Sequence, residues 1–296
     1  MSGLTFAGIA RRWLLLVALV AALAGCGGAA GPLQALSADE LADAASTSAA
    51  ASSGGFELSM EMVFPGRDAP FAVSGSGVYD TEADRTQLSL DLSGIEGFLG
   101  GALGDAGGTF DVGALDAIKD GADVYVRGPV LTGELPEGKS WVRFDAADFA
   151  TDAGMGALSL AGSDPRTLLE LVRTASGEVE TVGREDQRGV STTHYRATLD
   201  PQKYERLVPP ADREELLSLL GGLFGPSGLG EVPFDVWIDD EGYVRKAELA
   251  LSDPQLGTTD EEVETTVSLE LYDYGEPVAI AVPPADEVVD SSALPG

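Results

Sequence analysis

From Phe56 the chain alternates: Phe56, Leu58, Met60, Met62 and Phe64 fall on one side, and Glu57, Ser59 and Glu61 on the other. A period of two sends successive side chains to opposite faces of an extended strand, so this segment predicts one dry face and one wet face. The pattern returns in PFAVSGSGVYD (70–80) and in RTQLSLDLSG (85–94), where Leu88, Leu90 and Leu92 point inward and Gln87, Ser89 and Asp91 outward. Three such runs joined by short polar turns predict an antiparallel meander. ADVYVRG, KSWVRFD, GEVETVG, GVSTTHYRATLD, FDVWIDD, YVRKAELAL and EVETTVSLELYDY continue it, giving about ten strands.

Helices interrupt the alternation at a few places. SADE at Ser37 is a capping box, with Glu40 reaching back and Leu36 and Leu41 placed to staple the turn; this helix is expected to fray near Ser52 to Gly55. Asp164-Pro165 and Asp200-Pro201 each set an aspartate N-cap before a proline at the first helical position, and ADREELLSLLGGLF starts a further helix near Ala211. Clean alternation with few helices predicts an α+β fold, a large antiparallel sheet whose dry face the helices cover. Two glycine-rich apolar segments, 95–118 and 216–230, fit a simple sheet poorly. They read either as poorly capped helices plugging the core or as a mobile mouth in which Ile95, Phe98, Leu99, Leu103, Leu219, Leu223 and Phe224 meet an apolar ligand or a bilayer. Neither is a phosphate loop, because no lysine follows the glycines at the required spacing.

The chain start carries a different signal. Arg11 and Arg12 precede an apolar run from Trp13 to Gly25, too short to span a membrane before Gly27 and Gly28, which reads as a secretion leader. Cys26, the sole cysteine in 296 residues, follows at once, and Leu23-Ala24-Gly25-Cys26 resembles the lipobox of bacterial lipoproteins. That resemblance implies a diacylglycerol on the Cys26 sulfur, cleavage before it, and a palmitate-class acyl anchor. The implied organisation is a leader at 1–25, a lipidated N-terminus and tether at 26–36, and one domain at 37–296. About ten tether residues span at most roughly 35 Å, so the domain would work close to its own membrane. With no second cysteine there is no disulfide, and stability must come from an apolar core.

Charge narrows the partners. The formal net charge is −31, from 18 Lys+Arg against 49 Asp+Glu, and losing the leader removes two more positive charges. Nucleic acid is excluded as a ligand, and anionic head groups would repel most of the surface. The acidity reads foremost as solubility. Catalysis finds little support: the one histidine, His194, lies in a strand with Tyr195, Ala197 and Leu199 inward, so it should face outward, and no G-x-S-x-G turn accompanies it. One histidine makes no metal cluster, and no cofactor is expected. Of the densest acidic runs, IDDEGY reads as a hairpin turn in which Gly242 supplies the unusual backbone angle, and it lacks EF-hand spacing; TDEEVE reads as another acidic turn.

The order of lipobox, tether, capped helix, strands and interposed helices resembles the LppX/LprG lipoproteins, relatives of the LolA and LolB carriers. The resemblance is carried by THYRATLDPQKYERLV (193–208), WIDDEGYVRK (237–246) and LELYDYGEPVAIAVPPADEV (269–288); the segment after Gly94 matches no motif of that family. It implies a curved, unclosed antiparallel sheet, an open half-barrel with helices on its concave face, holding acyl chains between them. The expected protein is a non-enzymatic, membrane-anchored extracytoplasmic lipoprotein of the cell envelope, monomeric. It would bind a lipid or glycolipid and pass it to an envelope transporter or acceptor protein. Phe56, Met60, Met62, Leu88 and Leu90 join Phe98, Leu99, Leu103, Leu219, Leu223 and Phe224 as candidates to line the cavity or its mouth. The alternative is a surface lipoprotein with a filled core that senses or scaffolds. A hydrolase acting on envelope polymers is a third class, requiring acids clustered in a cleft.

Overall fold

The computed structural model describes residues 35–66, 70–95, 113–132, 135–146, 149, 166–199, 232–253 and 263–294. All lie in the unit Ala35–Gly296. Helix α1, Ala38–Ala49, opens as its sequence requires: the Glu40 amide donates to the Ser37 hydroxyl at 3.3 Å and Glu40 Oε2 accepts from the Ser37 amide at 2.8 Å. The Ser37 amide and, after it, the Ser37 hydroxyl donate to the Glu40 carboxyl and hold it below its ordinary range. Leu41, Ala44, Ala45 and Ser48 form the buried stripe. The helix does not trail off to Gly55, because β1, Ser53–Val63, already pairs there with both neighbours.

Eleven further strands follow among the described residues: β2 Phe71–Asp80, β3 Arg85–Asp91, β4 Ala114–Asp120, β5 Asp123–Arg127, β6 Trp141–Asp145, β7 Ala175–Gln187, β8 Val190–Leu199, β9 Val232–Asp239, β10 Val244–Asp253, β11 Val263–Tyr272 and β12 Val288–Asp290. They form one sheet in the order β12-β6-β5-β4-β3-β2-β1-β11-β10-β9-β8-β7. Every pair is antiparallel except β12 on β6, and among the described residues β12 and β7 form the two edges, so the sheet is open. The described residues also include the short helices α2, Pro129–Thr132, and α3, Thr167–Val172. Laid flat, twelve strands would extend about 50 Å. Yet residues from β5 (Val124, Val126) to β8 (Tyr195, Ala197, Leu199) share one core cluster with α1 and α3, which requires the sheet to curve around them.

Two strands were not expected. β4 occupies the end of the 95–118 segment: Leu115 and Ala117 are buried, and the strand bonds to β3 and β5, so this stretch is neither helix nor loop. β12 comes from the closing segment, which runs over the outer face, where Ile280, Val278 and Val288 cover Ile118 and Trp141. That face is therefore dry at one flank. The described part of α3 begins at Thr167, with Arg166 as N-cap and no side-chain cap bond. Asp164-Pro165 and the helices expected from Asp200 and Ala211 lie outside the described residues.

The inner face holds an accommodation that alternation does not reveal. Gly75 and Gly77 of β2 face inward, opposite Leu58 and Phe56 on one side and Leu90 and Leu88 on the other. A Cβ at Gly77 would stand 2.1 Å from the Gln87 carbonyl oxygen and 2.5 Å from Phe56 Cζ, and one at Gly75 2.5 Å from Leu90 Cδ2. The large side chains of β1 and β3 thus fill the space that glycine leaves.

Candidate functional site

β7 is irregular where it meets β8. Ser176 pairs with Thr198 and Glu180 with Arg196, so Gly177, Glu178 and Val179 together oppose Ala197. This is a bulge, and Gly177 takes φ +74°, a region that residues with a Cβ enter reluctantly. The displaced backbone opens a groove of about 780 Å³ between β7 and the start of α1. Its floor is apolar: Leu36, Ala38 and Val179 pack against the main core, and Ala197 belongs to it. Pro233 of β9 adds a further wall without offering an amide. Glu178, Glu180 and Arg196 stand at the rim, with Arg196 Nη2 3.0 Å from Asp235 Oδ1. An apolar floor that reaches the core beneath a charged rim suits the two halves of an amphiphile.

Among the described residues, none of the cavity candidates named from sequence lines this groove. Phe56, Met60, Leu88 and Leu90 are each under 5% exposed in the core cluster, and Met62 packs partly buried at its margin. Cys26, Phe98, Leu99, Leu103, Leu219, Leu223 and Phe224 lie outside the described residues. The residues that sequence reasoning missed are Leu36 as a wall, Val179 and Pro233. An isolated glycine inside a strand pattern, Gly177, was the signal for them.

A second depression, of about 670 Å³, lies on the outer face over β11, β1, β2, β3 and β4, lined by Glu57, Ser59, Ser74, Ser76, Ser89 and Glu270 among others. Leu58 and Leu90 line it as well. Arg188, at the β7–β8 turn, reaches its border and pairs with Glu57 at 2.5 Å and Glu270 at 2.9 Å while lying over the Tyr272 ring.

His194 sits on the outer side of β8 and is buried there, because Trp237 stacks on the ring at 4.2 Å and Glu185 and Asp235 take its two nitrogens. No serine is among those partners, so the arrangement is not a nucleophilic triad. Gly242 takes φ +88° in the β9–β10 turn, where Asp239 accepts from the Glu241 and Tyr243 amides and pairs with Arg245 at 2.6 Å, so this acidic run is consumed by the turn. Among the described residues no group of three His, Cys, Asp or Glu side chains could hold a metal ion, and no helix is long and apolar enough to cross a membrane.

No family model matches the chain. An uncharacterized 31.2 kDa protein in the rplA-rplJ intergenic region of Streptomyces griseus is 28% identical over 215 residues, 70% of this chain, which spans 66% of that relative's length. Among solved structures, LprF from Mycobacterium bovis is similar with a TM-score of 0.47 and 15% identity, over 84% of this chain and 99% of that one. The lipoprotein LppX from Mycobacterium tuberculosis has a TM-score of 0.43 and 15% identity, over 81% and 98%.

Proposed function

We propose that this chain is a lipid-anchored, extracytoplasmic protein that takes up the acyl chains of a lipid or glycolipid and presents them to another envelope component. The observation that carries the reading is the groove at the β7 bulge, where an apolar floor continuous with the core opens to solvent beside Leu36 and Ser37. On this reading about ten residues separate the acylated Cys26 from Leu36, so the groove would lie within about 35 Å of the bilayer. Acyl chains need dispersion contact and no fixed hydrogen-bond geometry, which Leu36, Val179, Ala197 and Pro233 provide. No catalytic step is required of any residue. Phe98, Leu99, Leu103, Leu219, Leu223 and Phe224 are proposed to extend the apolar surface, with Phe56, Met60, Met62, Leu88 and Leu90 behind it.

The test uses residues 35–296, without leader or Cys26, purified from an envelope-forming host and extracted for mass spectrometry. The expected result is lipid recovered at about one molecule per chain, with loading reduced severalfold in Val179→Asp and near-normal circular dichroism. Repeated recovery of an empty, folded protein would overturn the proposal and leave the alternative, a scaffold with a filled core.

A further inference from the structure

We infer that the groove at the β7 bulge selects its amphiphile by charge and takes a lipid whose head group carries an amine; the inference rests on the proposed function and names the class of lipid. Among the described residues three charged side chains line the groove, Glu178 and Glu180 on β7 and Arg196 on β8. An apolar floor by itself accepts any acyl tail, so discrimination between lipids falls to these three.

The one cation is already engaged. Register sets Arg196 between Glu180 on β7 and Asp235 on β9. Its guanidinium goes to the β9 side, with Nη2 3.0 Å from Asp235 Oδ1. Glu180 is thereby left without the partner that its place in the ladder offers, and among the described residues neither Glu180 nor Glu178 makes an ion pair. In a regular strand these two carboxylates would lie on the face opposite Val179. Where Gly177, Glu178 and Val179 together oppose Ala197, the bulge re-aims them, and both carboxylates line the same groove as Val179. A tail on Val179, Ala197 and Pro233 therefore brings its head to two exposed carboxylates.

The α1 wall does not call for an anion either. A helix N-terminus ordinarily draws negative charge, and Ser37 and Ala38 at the start of α1 line the groove. That end is compensated from within: the Ser37 amide and hydroxyl donate to Glu40 Oε2 at 2.8 and 2.9 Å, and Asp39 adds a second carboxylate in the first turn. A phosphate or sulfate head would meet like charge from both walls, and a glycosyl head would gain no ion pair. An ammonium gains one at either carboxylate of β7. Screening over about 8 Å at physiological ionic strength makes acids elsewhere on the chain count for little beside those lining the groove.

The test places the full chain in maltoside micelles, at physiological ionic strength, with one of three photoactivatable amphiphiles at equal mole fraction. The three share one alkyl tail and carry an ammonium, a maltoside or a sulfate head. Mass spectrometry reads labelling of the peptides containing Leu36 and Val179, divided by labelling over the rest of the chain. The ammonium probe should label them about threefold more than the maltoside and about tenfold more than the sulfate, the scale of one or two exposed ion pairs. In the Glu178→Gln, Glu180→Gln double variant, whose changes are confined to exposed side chains, the three probes should agree within about twofold. Equal labelling by all three in the wild type, strongest labelling by the sulfate, or a preference that survives the double variant would each overturn the amine assignment and leave the lipid groove standing. Labelling of those peptides by none of the three would overturn the groove reading, and the assignment with it.

Discussion

Gly77 shows how a residue with no side chain constrains those around it. It sits at the centre of the inner face, between Phe56 and Leu88, and the nearest obstacle to a methyl group is backbone, the Gln87 carbonyl oxygen at 2.1 Å. Backbone in the middle of a ladder yields little, so Gly77→Ala should cost about 2 kcal/mol through overpacking, read as a lowered urea midpoint with an unchanged slope. Gly121 is a useful contrast: an added Cβ would meet only Asp84 Oδ2 at 3.9 Å, and its φ of +60° is what reserves the position for glycine. An Ala there would be disfavoured by backbone conformation rather than by collision. Nothing in SGSGVYD distinguishes these causes, because a glycine's neighbours across a sheet depend on a register that the local sequence does not encode.

Single elements differ in how securely they are held. β12 is three residues long, half-buried, and parallel to β6. It is fastened by Val288 in the outer apolar cluster, by Ser140 to Glu287 at 2.9 Å, and by Asp290 paired with Arg143. The Arg143 bond, then those from Ser292, bring the Asp290 carboxyl down to about 2. A carboxyl depressed by folding stabilises the docked state above its ordinary value near 4, and that contribution disappears as pH falls through the depressed one. The Val289 amide shift should therefore hold steady on acidification to about pH 3 and move with a midpoint of about 2. Asp290→Asn should let 288–294 fray at neutral pH while β5 keeps its shifts. Most strands were readable because alternation survives wherever one face is wet. β4 was obscured because Ile118 is apolar on the outer face, and β12 because a segment covering that face needs no alternation of its own. The groove escaped for a related reason: its walls come from α1, β7, β8 and β9, and only Gly177 marks the bulge that parts them.

The molecule as a whole combines a curved open sheet with a strongly negative surface, and these two properties make different demands on membrane attachment. A formal charge of −31 opposes adsorption to anionic lipid, and salt would weaken that repulsion. Whatever holds the domain at a bilayer must then be apolar, and the proposed agent is the acylated Cys26. Each buried methylene contributes about 0.8 kcal/mol, so two or more long chains anchor a protein far beyond the reach of salt. Washing membranes with 1 M salt, roughly a 3 Å screening length, should release none of the mature chain, and detergent should release all of it. Mass spectrometry of the N-terminal peptide should find it beginning at residue 26 with a diacylglycerol on Sγ. A mature chain with a free thiol at Cys26, or one stripped by salt, would remove the anchor, and with it the reason for placing the β7 groove against the membrane from which its lipid is proposed to come.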